Sequence, residues 1–92
     1  MEIRENITFI GRVQGVGFRY TAVDVASGFS LAGWVRNEAD GSVRCTVEGA
    51  PEVLESFRRS LMERMASNIT DVTVKQSAAT GEFSGFKVLR TP

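Results

Sequence analysis

The order of patterns along the chain predicts an α+β fold with two helices packed on one mostly antiparallel sheet of four to five strands. Segments in which apolar and polar residues alternate are interrupted twice by segments with helical spacing of apolar residues. An Asp-Gly pair, which favours a tight turn, separates two of the alternating segments. With 92 residues, 42% of them hydrophobic and 24% charged, the chain has the length and composition of one folded domain. We therefore expect a single domain over residues 1–92.

A glycine-rich loop separates the first strand from the first helix. Between Ile3 and Val13, β-branched and aromatic residues recur with a period of two, as in a strand. Residues 14–17, Gln-Gly-Val-Gly, end this strand, because glycine permits backbone angles that are closed to other residues. Beyond the loop, apolar residues recur every three or four positions, which predicts a helix from about Arg19 to Ser27.

The middle of the chain has the pattern of a β-hairpin. Apolar residues between Leu31 and Asn37 indicate a strand, and Asp40-Gly41 follows as the turn. Beyond the turn, the apolar positions are Val43, Cys45 and Val47, and polar residues alternate with them. We expect this strand to have one buried face and one solvent-exposed face.

A second helix is predicted to begin at Pro51, which suits the first turn of a helix. Its apolar stripe consists of Leu54, Phe57, Leu61 and Met65. The opposite side, which carries Arg58 and Arg59 among acidic residues, is expected to be solvated, and Glu55 stands four residues before Arg59.

Two more strands complete the order. Val72 and Val74 indicate a fourth strand, and Phe86 and Val88 indicate a short fifth one. The resulting sequence of elements, βαββαβ with an additional terminal strand, is that of the split βαβ or ferredoxin-like α/β sandwich. A short terminal strand would protect one sheet edge, which favours a monomer.

The composition excludes several classes of function. Eleven basic and eleven acidic residues give a net charge of zero, so no overall field attracts the chain to nucleic acid or to a membrane surface. The sequence has no histidine and only Cys45, which excludes an internal disulfide, the usual zinc sites and Ser-His or Cys-His catalysis. Cys45 is expected to be a buried apolar side chain. No stretch resembles a signal peptide or a membrane span, so a cytoplasmic location is the default expectation.

The glycine loop is the first candidate for a functional site. Glycines at Gly15 and Gly17 allow successive backbone NH groups to converge on an anion at the positive end of the following helix. Arg19, in the first turn of that helix, could hold two oxygens of a phosphate at once. The structural alternative is a sharp turn with a solvated arginine. Residues 33–37 likewise have an ordinary interpretation, as a strand whose last residue, Asn37, begins a turn.

Taken together, residues 11–19, GRVQGVGFR, and residues 33–37, GWVRN, resemble the double signature of the acylphosphatase family. The resemblance covers essentially the whole chain and includes weaker matches at Asp40-Gly41, at residues 47–49 and at residues 83–86. It departs from the family's pattern at residues 66–70, Ala-Ser-Asn-Ile-Thr, where a Gly-Pro turn is common. This departure concerns loop shape and stability, because it lies outside the signature.

The resemblance implies a function and a set of site residues. Arg19 would bind the substrate phosphate, and Asn37 would orient the attacking water. The phosphate would be surrounded by backbone NH groups of Gly15, Val16, Gly17, Phe18 and Arg19. The implied reaction is hydrolysis of the carboxyl-phosphate bond of a small acyl phosphate to a carboxylate and inorganic phosphate. It would proceed by direct attack of water, with neither a metal nor a cofactor.

Elementary chemistry is consistent with that reaction. The leaving carboxylate is the anion of an acid with a pKa of roughly 4 to 5, so its departure needs little protonation and no histidine. Phosphoryl transfer then depends on positioning and on charge stabilisation at the phosphate oxygens. A neutral carboxamide at Asn37 can accept a hydrogen bond from water without repelling a dianion.

Two alternatives remain at this point. The first is a non-catalytic module that binds phosphate or carbamoyl phosphate, of the kind fused to larger maturation proteins. The second is an RNA-binding sheet, which zero net charge disfavours.

Strand alternation places Arg36 on the face opposite Asn37, and Trp34 is interpreted as a packing residue. The sequence does not choose among acetyl phosphate, carbamoyl phosphate and the acyl phosphate of bisphosphoglycerate.

Overall fold

The computed structural model describes all residues from Met1 to Pro92. Two helices pack on a five-stranded sheet. The elements in chain order are β1 (Ile3–Gly11), α1 (Phe18–Ala26), β2 (Ala32–Asn37), β3 (Val43–Gly49), α2 (Pro51–Arg64), β4 (Ile69–Ala78) and β5 (Phe86–Val88). Every predicted element is present, and the bounds of the first helix differ by one residue from the prediction. Neither helix has the length and apolar character needed to cross a membrane.

The strands lie in the order β4-β1-β3-β2-β5. All neighbouring pairs are antiparallel except β2 and β5, which are parallel, so the prediction of a mostly antiparallel sheet is confirmed. The short strand β5 forms one edge, as expected, while the ten-residue β4 forms the other.

The core lies between the sheet and the two helices. The apolar stripe of α2 is buried as predicted, with Leu54, Phe57 and Leu61 at 0% exposure and Met65 at 6%. From the sheet, Ile7, Phe9, Val35 and Cys45 contribute fully buried side chains. Burial raises the pKa of the Cys45 thiol far above its ordinary value, which keeps this side chain a neutral packing group.

The hairpin turn forms as predicted, but the outer face of β3 is not solvent-exposed along its whole length. Arg44 is exposed, whereas Thr46 and Glu48 on the same face are only 2% and 4% exposed. The hydroxyl of Thr46 donates to Oδ1 of Asn6 over 2.8 Å. Glu48 accepts hydrogen bonds from Arg4 (2.7 Å) and from the backbone NH groups of Thr80 and Gly81 (2.9 Å each). The prediction was wrong because polar partners from distant segments cover these side chains.

The charged side of α2 is also only partly solvated. The exposed pair between Glu55 and Arg59 forms as predicted, at 2.7 Å. Arg58 instead donates to Glu5, a β1 carboxylate that is 2% exposed and lies on the helix-facing side of the sheet. A buried carboxylate needs such a partner, which explains why this arginine turns toward the sheet.

The segment that departs from the family pattern is a compact turn. After α2 ends, the NH of Asn68 donates to the carbonyl of Met65 over 2.9 Å, and β4 begins at Ile69. This turn lies directly against β1, since a side chain at Gly11 would overlap the carbonyl oxygen of Asn68 and lie 2.9 Å from the nitrogen of Thr70. The segment therefore turns without Gly-Pro, and Gly11 makes room for it.

Candidate active site

The loop between β1 and α1 has the backbone form expected of an anion-binding segment. Gly15 and Gly17 have φ angles of +75° and +79°, in the left-handed region that only glycine adopts freely. A Cβ atom added to either residue would meet nothing within 4 Å, so the loop borders open space. Gly17 is also the N-cap of α1, where no side chain caps the helix and no acidic residue occupies the first turn. The first NH groups of the helix therefore lack side-chain partners, and no acidic side chain of the first turn neutralises the positive end of the helix dipole.

The loop is held from outside by three side chains. Val13 and Phe18, at its two ends, are 1% and 2% exposed, and the ring of Phe18 packs 4.9 Å from that of Phe9. Between them, Nε2 of Gln14 donates to the carbonyl oxygens of Glu38 (2.8 Å) and Ser42 (2.9 Å). Gln14 thus ties the loop to the hairpin turn that follows Asn37. Gln14 was predicted only as a loop residue, although a polar side chain between apolar and glycine positions could have indicated this tether.

Arg19 lies in the first turn of α1 with an exposed side chain. It takes part in none of the molecule's six ion pairs. Its guanidinium donors are therefore free for a ligand, and its place beside the loop adds full positive charge to the helix terminus.

Asn37 is the last residue of β2 and lies on the helix-facing side of the sheet with Val35, two positions earlier. Its Oδ1 is buried and has no hydrogen-bond partner. A buried acceptor without a donor costs about 1–3 kcal/mol. The position is therefore poorly suited to stability alone, and a donor that enters the cleft would satisfy the carboxamide.

One cleft of 470 Å³ brings these groups together. Its lining residues are Val13, Gly15, Gly17, Phe18, Arg19, Tyr20, Val23, Asn37 and Val88. Among the residues predicted from the sequence, only Val16 is not part of the lining, and its side chain is 37% exposed. The apolar residues Tyr20, Val23 and Val88 were not predicted, because they belong to no recognisable motif.

The other face of β2 is separate from the cleft. The guanidinium of Arg36 lies 4.7 Å from the ring centre of Trp34 and also pairs with Glu38. Strand alternation therefore places Arg36 away from Asn37 as predicted, and its charge is used in a local ion pair. Trp34 is half-buried beneath it on the face away from the core, so its interpretation as a packing residue stays a prediction.

Known proteins resemble this chain over nearly its whole length. The family model described as Acylphosphatase matches residues 5–88. A curated acylphosphatase from Trichormus variabilis is 44% identical over 89 residues, which cover 96% of this chain and 87% of that protein. The crystal structure of acylphosphatase from Bacillus subtilis superposes with a TM-score of 0.84 at 34% identity, covering 95% of this chain and 98% of the other.

A larger protein contains the same fold. The crystal structure of full-length HypF, described in a phosphate- and nucleotide-bound form, matches with a TM-score of 0.83 and 28% identity. That match covers 99% of this chain but 12% of HypF. The cleft that contains the glycine loop, Arg19 and Asn37 is consistent with these matches. Because the family model covers residues 5–88 and a curated acylphosphatase is 44% identical over nearly the whole chain, the chain belongs to the acylphosphatase family.

Proposed function

We propose that this chain hydrolyses the carboxyl-phosphate bond of small acyl phosphates by direct attack of water, with Arg19 binding the phosphate and Asn37 orienting the water. The observation that carries the proposal is one cleft that contains the glycine loop, an unpaired arginine and a buried carboxamide oxygen without a donor. Family membership supplies the reaction class, and the geometry supports the assignment of roles.

The phosphate would lie between the loop and Arg19. Backbone NH groups from Gly15 to Arg19 would donate to its non-bridging oxygens, and the guanidinium would contact two oxygens at once. As the bond to the acyl oxygen lengthens, negative charge on these oxygens is stabilised by donors that need no rearrangement. The buried anchors Val13 and Phe18 support this proposal, because they fix both ends of the loop.

The water would be held by the carboxamide of Asn37. Its oxygen would accept a hydrogen bond from the water, which leaves a lone pair of the water oxygen directed at phosphorus. The new bond joins that oxygen to phosphorus, the bond from phosphorus to the carboxyl oxygen breaks, and the electron pair leaves with the carboxylate. The proton released by the water goes to solvent or to the phosphate product.

The proposed reaction uses neither a metal ion nor a cofactor. The leaving group is a weakly basic carboxylate, so it needs no Lewis acid to depart. Arg19 and the dipole end of α1 together supply the positive charge that a phosphoryl group requires.

A non-catalytic binding module is the second candidate function. It is favoured by the match to part of HypF, a protein whose structure is described as phosphate-bound. A pure phosphate binder would not require Asn37 with an unpaired oxygen in the same cleft. We therefore place hydrolysis first.

The physiological setting is proposed on the same grounds. We infer that residues 1–92 form one domain, which acts as a monomer in the cytoplasm on a small acyl phosphate and releases inorganic phosphate. Zero net charge provides no general attraction to nucleic acid or to anionic lipid.

Hydrolysis of benzoyl phosphate in the presence of a chelator tests the proposal. The wild type should turn over, whereas Arg19→Ala should lose about a hundredfold or more in kcat/KM. Asn37→Ala should lose a comparable factor in kcat while inhibition by inorganic phosphate stays nearly unchanged, because Asn37 contacts the water rather than the anion.

Arg44→Ala is the matched control. Arg44 is also exposed and forms no ion pair, but it lies on the sheet face away from the helices, so this variant should keep wild-type turnover. An inactive wild type that still binds phosphate would establish the binding module instead. Full activity in Arg19→Ala would contradict the assigned role of the arginine.

A further inference from the structure

Exposed apolar side chains concentrate beside the proposed phosphate site. The chain exposes seven large hydrophobic residues: Met1, Ile10, Val16, Tyr20, Val23, Val74 and Val88. Three of them line the cleft that contains Arg19 and Asn37, with Tyr20 81%, Val23 38% and Val88 48% exposed. Exposure of apolar area is unfavourable in water, so such a concentration in a cleft points to a ligand that covers it.

The three side chains come from two elements that face each other. Tyr20 and Val23 lie three residues apart on α1, so they share one face of the helix. Val88 lies in parallel register with Val35, whose side chain is fully buried on the helix-facing side of the sheet. Val88 therefore points toward α1, and the three residues form an apolar wall next to Arg19.

The remainder of the cleft is nearly uncharged. Arg19 is the only charged residue among the nine that line it. The cleft has a volume of 470 Å³, within the usual range of about 300–1,000 Å³ for small-molecule sites. When the loop and Arg19 hold the phosphate, the attached acyl group must extend into a part of the cleft that offers apolar contacts and no second cation.

We propose that Tyr20, Val23 and Val88 form a subsite for the acyl group, and that it favours an apolar, preferably aromatic, acyl phosphate over acetyl phosphate. This inference rests on the proposed function, because it places the acyl group by its bond to the phosphate at Arg19. An aromatic acyl group would cover the ring of Tyr20 and the methyl groups of Val23 and Val88, whereas an acetyl group is too small to reach most of this wall. A substrate with a second phosphate would find no cation in the cleft to pair with it.

The test compares two substrates in the intact protein. We expect kcat/KM for benzoyl phosphate to exceed that for acetyl phosphate after correction for their intrinsic reactivities. Tyr20→Ala should lower kcat/KM for benzoyl phosphate about tenfold, mainly through KM, and change that for acetyl phosphate by less than about twofold. Val23→Ser should act in the same direction with a smaller effect, while Tyr20→Phe should retain the preference because it keeps the ring.

Val74→Ala provides the control, since Val74 is 36% exposed on the edge strand β4 and lies outside the cleft. Equal losses for both substrates in Tyr20→Ala, or none for either, would overturn the subsite while leaving the proposed function intact. A wild type that hydrolyses neither substrate would refute the proposed function and the subsite with it. A molecular mass that rises with concentration and returns to that of the monomer in Tyr20→Ala would assign the wall to contact with a second copy.

Discussion

Two pairs of glycines in the signature have opposite surroundings. Gly11 and Gly33 are pressed against neighbouring backbone, whereas Gly15 and Gly17 border empty space. We call the first two the packed glycines and the second two the loop glycines. One sequence signature therefore combines residues required by the fold with residues suited to a ligand.

The packed glycines allow segments to approach closely. A Cβ atom at Gly33 would overlap the carbonyl oxygen of Thr46 and lie 2.8 Å from the Cα of Val47 on the adjacent strand β3. Gly11 makes the corresponding room for the turn before β4. Neither residue lines the cleft, so their contribution to activity is indirect.

The loop glycines instead border open space that a ligand can occupy. Their left-handed backbone angles direct the loop around the cleft, and side chains at these positions would project into open space. The sequence suggested a ligand-binding role for Gly15 and Gly17, but the close packing at Gly11 and Gly33 is visible only in the structure. One substitution in each pair tests this distinction.

Gly33→Ala should have the largest effect, and it should act on stability. Because the new methyl group would collide with backbone rather than with a flexible side chain, β2 and β3 must separate locally, with an expected loss of about 3 kcal/mol or more. Urea denaturation followed by circular dichroism measures the change. Gly28→Ala is the control, since its Cβ would lie 3.6 Å from the carbonyl oxygen of Val25, an ordinary contact. Equal stability of the two variants would show that Gly33 is not packed as described.

Gly15→Ala should affect activity more than stability. Placing alanine at a φ of +75° costs about 1–2 kcal/mol, and the resulting shift of the loop should lower kcat/KM by about tenfold to a hundredfold. Gly81→Ala is matched in geometry, with a φ of +76° and no atom within 4 Å of the new Cβ, but it lies outside the cleft. A similar loss of activity in both variants would show that the loop glycine has no special role.

The pH dependence of stability should originate from Glu48, a buried carboxylate on β3 that lies outside the cleft. Burial opposes ionisation of Glu48, but hydrogen bonds from the NH groups of Thr80 and Gly81 and from Arg4 outweigh it and lower the pKa of this carboxyl from 4.5 to about 2. A carboxyl whose pKa is lower in the folded state stabilises the fold above its unfolded pKa. This contribution is lost as the pH falls from about 5 toward 2.

Glu48→Gln removes the titrating group and should flatten this acid limb, while the variant is less stable than the wild type near neutral pH. Thermal unfolding between pH 7 and pH 2 measures both effects. An unchanged acid limb would mean that other carboxylates control acid unfolding.

The sequence predicts the elements of the fold well because each one is encoded locally. Alternation in β1 and β3, the stripe of α2 and the Asp-Gly turn need no knowledge of distant contacts. The burial of Glu48 could not be predicted, since its partners at residues 80 and 81 are more than 30 positions away. The pairing of Arg58 with Glu5 joins residues 53 positions apart, and no local pattern indicates it.

The candidate site divides in the same way. Arg19 and Asn37 were identified because residues 11–19 and 33–37 resemble the acylphosphatase signature, and the structure places both residues in one cleft. The hydrogen bonds from Gln14 join the loop to the hairpin turn, and the apolar wall joins α1 to β5 through Val88. Both features depend on contacts between distant segments, so no local pattern in the sequence indicates them.

The uncapped start of α1 has a thermodynamic consequence. Most helices begin with a side chain that accepts hydrogen bonds from the first free NH groups, and here Gly17 provides none. A phosphate held at this position would accept hydrogen bonds from these NH groups in place of a capping side chain. Phosphate binding would therefore stabilise the start of the helix. By mass action, the protein would then become more heat-resistant as the phosphate concentration rises. Inorganic phosphate, the product of the proposed reaction, would thus also act as a stabiliser of the enzyme that releases it.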